Sequence, residues 1–111
     1  MANRHRGEVK LAIGGEVFAL RLTLQALAEI EAALGADDLQ GLGERFAAGR
    51  AGARDLIALI GAAVRGGGAK LSDAAVAERM GAEELPDAVA ALGELFALSF
   101  GADDSKRPRA P

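Results

Sequence analysis

The sequence predicts a small α+β domain that is mostly helical, with an N-terminal β-hairpin followed by about five helices. The chain has 111 residues, enough for one domain of ordinary size. Residues 8–22 alternate between apolar and other side chains, which is the period of a half-buried strand. Beyond them, the large apolar residues recur three and four positions apart, as they do in amphipathic helices.

The predicted hairpin covers residues 8–22. Val9, Leu11 and Ile13 share one face of its first half, and the second half repeats the alternation. The two glycines at 14–15 can adopt the positive φ angles of a tight two-residue turn. A lone hairpin is only marginally stable in water, so we expect its apolar face to pack on helices.

Five helices are predicted after the hairpin, each from a segment with apolar residues at helical spacing. They are expected at about residues 24–34, 38–48, 53–65, 73–80 and 86–100. Thr23 and Ser72 are the expected N-caps of two of them, and Pro86 fits the first turn of the last. Glycines inside 38–48 each cost about 1 kcal/mol relative to alanine, so that helix is expected to be short.

The apolar stripes of two helices predict which of their residues reach the core. For the first helix the stripe is Leu24, Leu27, Ile30 and Leu34. For the last helix it is Leu85, Val89, Leu92, Phe96 and Phe100. Around this single globular domain, 8–101, we expect a flexible N-terminus at 1–7 and a disordered polar tail at 102–111.

Composition excludes several classes of protein. The chain has no cysteine, which rules out a disulfide framework and a thiolate nucleophile. Thirteen basic against sixteen acidic residues argue against a dedicated nucleic-acid binder. The longest apolar run, 56–64, has nine residues, well short of the roughly 20 that cross a bilayer. No continuous apolar export signal follows the basic start, so the predicted location is the cytoplasm.

No constellation of residues predicts catalysis. His5, the single histidine, precedes the first strand, where neither packing nor neighbouring contacts would hold a general base in place. The stretch 66–72 lacks the Gly-Lys-Ser/Thr sequence of a phosphate-binding loop. The acidic pairs fall mainly at predicted helix starts, where negative charge favours the helix dipole. We therefore predict no enzyme activity, no metal site and no cofactor.

Glycines inside two predicted helices suggest close packing. Gly61 lies among alanines in the helix at 53–65, and Gly93 lies between Ala90 and Ala97 in the last helix. Glycine in a helix interior is unfavourable unless close backbone approach compensates. Either the two small faces cross each other, or one of them mediates self-association into a homo-oligomer. A coding bias toward alanine and glycine explains them equally well, since 26 residues are alanine.

Two blocks of the sequence carry a family resemblance. RHRGEV at 4–9, the glycine-turn hairpin and the run from 22 to 31 form one block. ARDLIALIG at 53–61, ending in an arginine and three glycines, forms the other. Together they resemble the small tail-region proteins of bacterial gene transfer agents, which are phage-like particles that package host DNA. The resemblance covers about residues 4–100.

The resemblance implies a tail assembly chaperone. Such a protein would bind the long tape-measure protein and keep it soluble until the tail tube protein polymerises around it. The family is also described as tail tube protein, so the alternative is a structural component of the tube. The residues carried over from the family lie in the expected core: Leu24, Leu27, Leu56, Ile57 and Ile60.

Two features fit a binding role. A two-stranded sheet has unpaired edges, which a partner can extend by adding a strand. The weak helix at 38–48 could move to open an apolar groove, so we expect Leu39, Leu42 and Phe46 to contact the partner. A tube subunit should have a large β-sheet, and only two strands are predicted, which favours the chaperone.

Overall fold

An antiparallel hairpin and the helices that follow it make up the computed structural model, which describes residues 7–34 and 52–100. The strands are β1 (Glu8–Ile13) and β2 (Glu16–Arg21), and the helices are α1 (Leu24–Leu34), α2 (Ala53–Gly66), α3 (Asp73–Arg79) and α4 (Leu85–Phe100). A 3-10 turn, Ala82–Glu84, precedes α4. This confirms the mostly helical α+β class. The helix expected at 38–48 and both predicted flexible ends, apart from Gly7, lie outside the described residues.

The hairpin has the predicted turn and the predicted buried face. Gly14 and Gly15 have φ angles of 62° and 88°, which glycine adopts without steric cost. Ile13 pairs with Glu16 across the turn, and Leu11 pairs with Phe18 further along. Because side chains alternate along a strand, this register directs the apolar residues of β1 to one face. That face is buried against the helices.

The helix boundaries follow from local capping chemistry. The Ala26 N–H donates to Thr23 Oγ1 at 3.0 Å, and the Ala75 N–H donates to Ser72 Oγ at 3.0 Å. Both expected N-caps are therefore present, and each satisfies a donor that the first helical turn would leave unpaired. Pro86 is the second residue of α4, where a missing N–H costs nothing.

The hydrophobic core collects residues from both strands and all four described helices. Helix α2 lies at its centre, with every residue from 58 to 64 buried. The largest fully buried side chains are Ile13, Leu20, Ile30, Leu59, Ile60, Val64, Val76, Leu92 and Leu95. Each such side chain stabilises the fold by about 1.5–3 kcal/mol relative to leaving it in water. The core is therefore built mainly from Leu, Ile and Val despite the alanine content.

Three residues of the predicted core stripes are exposed instead. Leu24 is 84% exposed, and Leu85 and Val89 are 44% and 40% exposed. Leu24 lies about 120° around α1 from the buried Ile30, at 100° per residue. In α4 the buried face includes Ala88 and Ala91, which a stripe of large residues leaves out, so its centre is shifted away from Val89.

Candidate interaction surface

The outer edge of β2 is covered by the end of α2. A Cβ atom placed on Gly66 would collide with the Arg21 carbonyl oxygen, and one on Gly67 would collide with the Ala19 carbonyl oxygen. Only glycine permits so close an approach of the two backbones. A partner strand therefore cannot pair with this edge without displacing α2.

The outer edge of β1 has a different environment. Because Ile13 and Glu16 form the hydrogen-bonded pair that closes the turn, the backbone groups of Glu8, Lys10 and Ala12 point away from β2. Within residues 7–34 and 52–100, no backbone group hydrogen-bonds to this edge. It presents alternating N–H donors and C=O acceptors in the geometry that an added strand requires.

Helix α4 forms a wall beside this edge. The groove between them has a volume of about 300 Å³. It is lined by Val9, Lys10, Leu11 and Ala12 on the strand and by Asp87, Ala90, Ala91 and Glu94 on the helix. The helix residues recur at spacings of three and four, so they share one face of α4. We call this feature the β1–α4 groove.

Glu84 fixes one end of the β1–α4 groove. Its Oε1 accepts the N–H of Gly14 at 3.0 Å and the N–H of Gly81 at 3.2 Å, and its Oε2 accepts the N–H of Gly15 at 3.4 Å. These backbone N–H groups, Gly14 foremost, lower the pKa of the Glu84 carboxyl by stabilising its charged form. The carboxylate thus ties the hairpin turn to the start of α4, which runs back along β1.

Arg65 joins three helices on the other side of the molecule. Its guanidinium donates to Glu29 Oε1 on α1 at 2.7 Å and to Asp73 Oδ1 on α3 at 3.0 Å. It also donates to the Leu71 carbonyl oxygen at 2.8 Å. The hydrogen bonding that Arg65 donates to Glu29 lowers the pKa of the Glu29 carboxyl and raises the pKa of the Arg65 guanidinium. Since two carboxylates and a carbonyl engage the guanidinium, this cluster is structural.

Neither polar cluster is predicted from the sequence. Glu84 belongs there only to an acidic pair at an expected helix start, and Arg65 only precedes a run of three glycines. Their partners lie far away in the chain: Gly14 is 70 residues from Glu84, and Glu29 is 36 residues from Arg65. No local spacing could indicate such pairs, because only tertiary packing brings them together.

A comparison with known protein families gives a match over most of the chain. A family model described as "Phage tail tube protein, GTA-gp10" matches residues 6–102. The chain belongs to this family. The match spans every described element, and it confirms the resemblance to tail proteins of phages and gene transfer agents. Neither the curated proteins nor the solved structures contain a match to the chain.

In this member of the tail tube family, the small residues that were predicted to pack two helices together lie in different surroundings. Gly61 is buried, and a Cβ atom there would meet the side chains of Asp73 and Arg65. Ala90 and Gly93 are exposed on α4, and Ala97 is half-buried. Gly61 thus lies against Arg65 and α3, whereas Ala90 and Gly93 lie at the surface of α4, and close packing of the two small faces stays a prediction. Self-association through the face of α4 stays a prediction.

Leu39, Leu42 and Phe46, the expected partner-binding residues, lie outside the described residues, so their role stays a prediction. In the part of the chain that the structure describes, no group of three or more acidic or histidine side chains could hold a metal ion. Within the same ranges, no helix has the length and apolar character needed to cross a bilayer.

Proposed function

We propose that this protein is a structural component of the tail tube of a phage-like particle and acts by binding other tail proteins, without catalysis. The family match over residues 6–102 carries this proposal. The outer edge of β1, to which none of the described backbone groups hydrogen-bonds, supports it, because tube subunits must offer surfaces that join one protein to the next. Assembly would take place in the cytoplasm before the particle is released.

Mass spectrometry of purified particles tests the structural role. A tube component should be present at a copy number comparable to that of the other tube proteins, because a tube is built from stacked rings. Particles from a strain lacking the gene provide the baseline. Normal tails that contain no trace of this chain would contradict the proposal.

The second candidate is a tail assembly chaperone that binds the tape-measure protein and the tail tube protein. One structural observation favours it: the described residues contain a sheet of only two strands, whereas a tube wall calls for a larger one. A chaperone should be required for tail formation and yet absent from mature particles. It should also raise the soluble yield of a co-expressed tape-measure fragment.

A further inference from the structure

We propose that the β1–α4 groove binds an extended segment of a partner protein, which adds to β1 as a third strand and places a basic side chain beside Asp87. The inference rests on the proposed function only in taking the partner to be another tail protein. The surface itself follows from the backbone of β1, the small side chains of α4 and the charge of the groove.

The backbone of β1 selects an extended partner. Outward-pointing groups of Glu8, Lys10 and Ala12 offer N–H donors and C=O acceptors at the spacing of a strand. A helical partner forms its backbone hydrogen bonds internally, so it has no free N–H or C=O groups to pair with β1. The strand is also held rigidly from beneath, since Leu11 is 4% exposed and Ile13 is fully buried. A preformed edge loses little conformational entropy when a strand docks.

The α4 wall leaves room for that strand. Ala90 is exposed and Ala91 is buried, and neither has side-chain atoms beyond Cβ to fill the groove. Strands pair about 4.8 Å apart, so the added strand would run between β1 and α4 with alternate side chains against the alanines. Small or β-branched residues fit those positions.

The charge of the groove selects a basic segment. Asp87 and Glu94 lie on the helix wall, against a single cation, Lys10, on the strand. Glu94 already has an interaction of its own within the molecule, so we assign recognition to Asp87, which is exposed. An ion pair with Asp87 would favour basic over acidic segments. It would contribute more to the specificity of binding than to its affinity.

A second copy of this chain fits the groove less well. Antiparallel pairing of two β1 strands about Leu11 would bring the two α4 helices side by side. Because α4 runs back along β1, Asp87 of one copy would then approach Glu94 of the other. Like charges across an interface are unfavourable. The other edge of the hairpin is closed by α2, so β1 is where a strand can be added.

Binding of peptides to the purified full-length chain tests the proposal. The probes are synthetic ten-residue peptides that tile the tail proteins of the same particle, measured by fluorescence anisotropy. We expect binding to segments of β-prone residues that carry a lysine or arginine. Binding confined to acidic or helix-forming peptides would overturn the proposal.

Three substitutions separate strand addition from other modes. Lys10→Pro removes an outward N–H without touching the pairing with β2, and Ala90→Leu fills the groove; each should weaken binding about tenfold or more. Lys10→Ala, which keeps the N–H, should bind nearly as wild type. Circular dichroism checks that each variant folds. If Lys10→Pro does not fold, Ala90→Leu still tests the binding site. Wild-type affinity for the peptides in Ala90→Leu would overturn the proposal that they bind in the groove.

A charge reversal tests the role of Asp87. Asp87→Lys should shift the preference from basic toward acidic peptides. Glu78→Lys, the same change on the exposed side of α3, is the matched control and should leave the preference unchanged. An unaltered preference in Asp87→Lys would overturn the assignment. Self-association that Ala90→Leu abolishes, seen by sedimentation, would identify a second copy as the occupant and overturn the proposal.

Tail formation in cells distinguishes failure of the groove from failure of the proposed function. If the protein is found in particles but Ala90→Leu makes normal tails, the groove is wrong and the tail role stands. If Ala90→Leu loses peptide binding while the protein is neither in particles nor needed for tails, the groove is right and the proposed function is wrong.

Discussion

At the residue scale, single polar side chains determine how the hairpin sits on the helices. Glu84 accepts three backbone N–H groups, two of them from the turn of the hairpin. Such N–H groups would otherwise depend on water, and a carboxylate is the stronger acceptor. One residue of the last connection thereby orients a turn formed 70 residues earlier.

Glu84 predicts a specific dependence of stability on pH. Its pKa is lowered in the folded protein, so its contribution is fully present above the unfolded pKa of about 4.3 and is lost as pH falls through the folded value. Thermal unfolding should show Glu84→Gln to be less stable than wild type at neutral pH, with the gap closing below about pH 4. Glu83→Gln serves as the control. A gap that persists unchanged into acid would contradict the role of the charge.

Leu24 and Ile30 predict opposite costs of substitution on one helix. Leu24 is 84% exposed, so Leu24→Ser should change the free energy of unfolding by less than about 0.5 kcal/mol. Ile30 is 1% exposed, and Ile30→Ala should cost about 2–5 kcal/mol by leaving a cavity. Urea denaturation measures both. Equal losses of unfolding free energy in the two variants would mean that Leu24 is buried like Ile30, as the apolar spacing of the helix predicts.

At the element scale, α2 organises the molecule because other elements pack around it. Its glycine-rich end lies against β2, and its Arg65 reaches α1 and the start of α3. In the sequence, these glycines belong to a run of three that follows the predicted helix at 53–65, where glycine favours the end of a helix. They also let the end of α2 approach the carbonyl groups of β2, and this close approach depends on packing between distant segments.

Gly66 tests that close approach. By helix propensity alone, Gly66→Ala inside α2 should stabilise the protein by about 0.5–1 kcal/mol. The structure predicts the reverse, a lower melting temperature, because the new Cβ atom would collide with the backbone carbonyl of Arg21. Gly93→Ala, at an exposed position of α4, is the matched change and should stabilise. Stabilisation by both would show that α2 can retreat from β2 at little cost.

Arg65 tests the coupling among helices. Arg65→Met keeps the length of the side chain but leaves Glu29, Asp73 and the Leu71 carbonyl without their donor. Because the guanidinium is partly exposed, we expect a loss of about 1–2 kcal/mol. Glu29→Gln should cost less, since Arg65 keeps Asp73. A double-mutant cycle in urea gives the coupling energy, and a coupling of zero would mean that the pair does not join the helices.

At the scale of the whole molecule, the two edges of the hairpin differ: α2 covers the outer edge of β2, whereas no backbone group within residues 7–34 and 52–100 hydrogen-bonds to the outer edge of β1. The family match shows a tail protein, and under our proposal the outer edge of β1 is where a partner strand adds. Small side chains on α4 keep the open side accessible, while large ones fill the core.

Local sequence is enough to predict the hairpin with its glycine turn, two helix caps, the first turn of the last helix and the α+β class. These depend on local propensity and on the periodicity of side chains, which neighbouring residues fix. Tertiary structure alone decided that Leu24 and Val89 face solvent, that Glu84 holds the turn and that Arg65 joins three helices. The physical reason is distance along the chain. Hydrogen bonds and close contacts between residues tens of positions apart leave no periodic trace in the sequence.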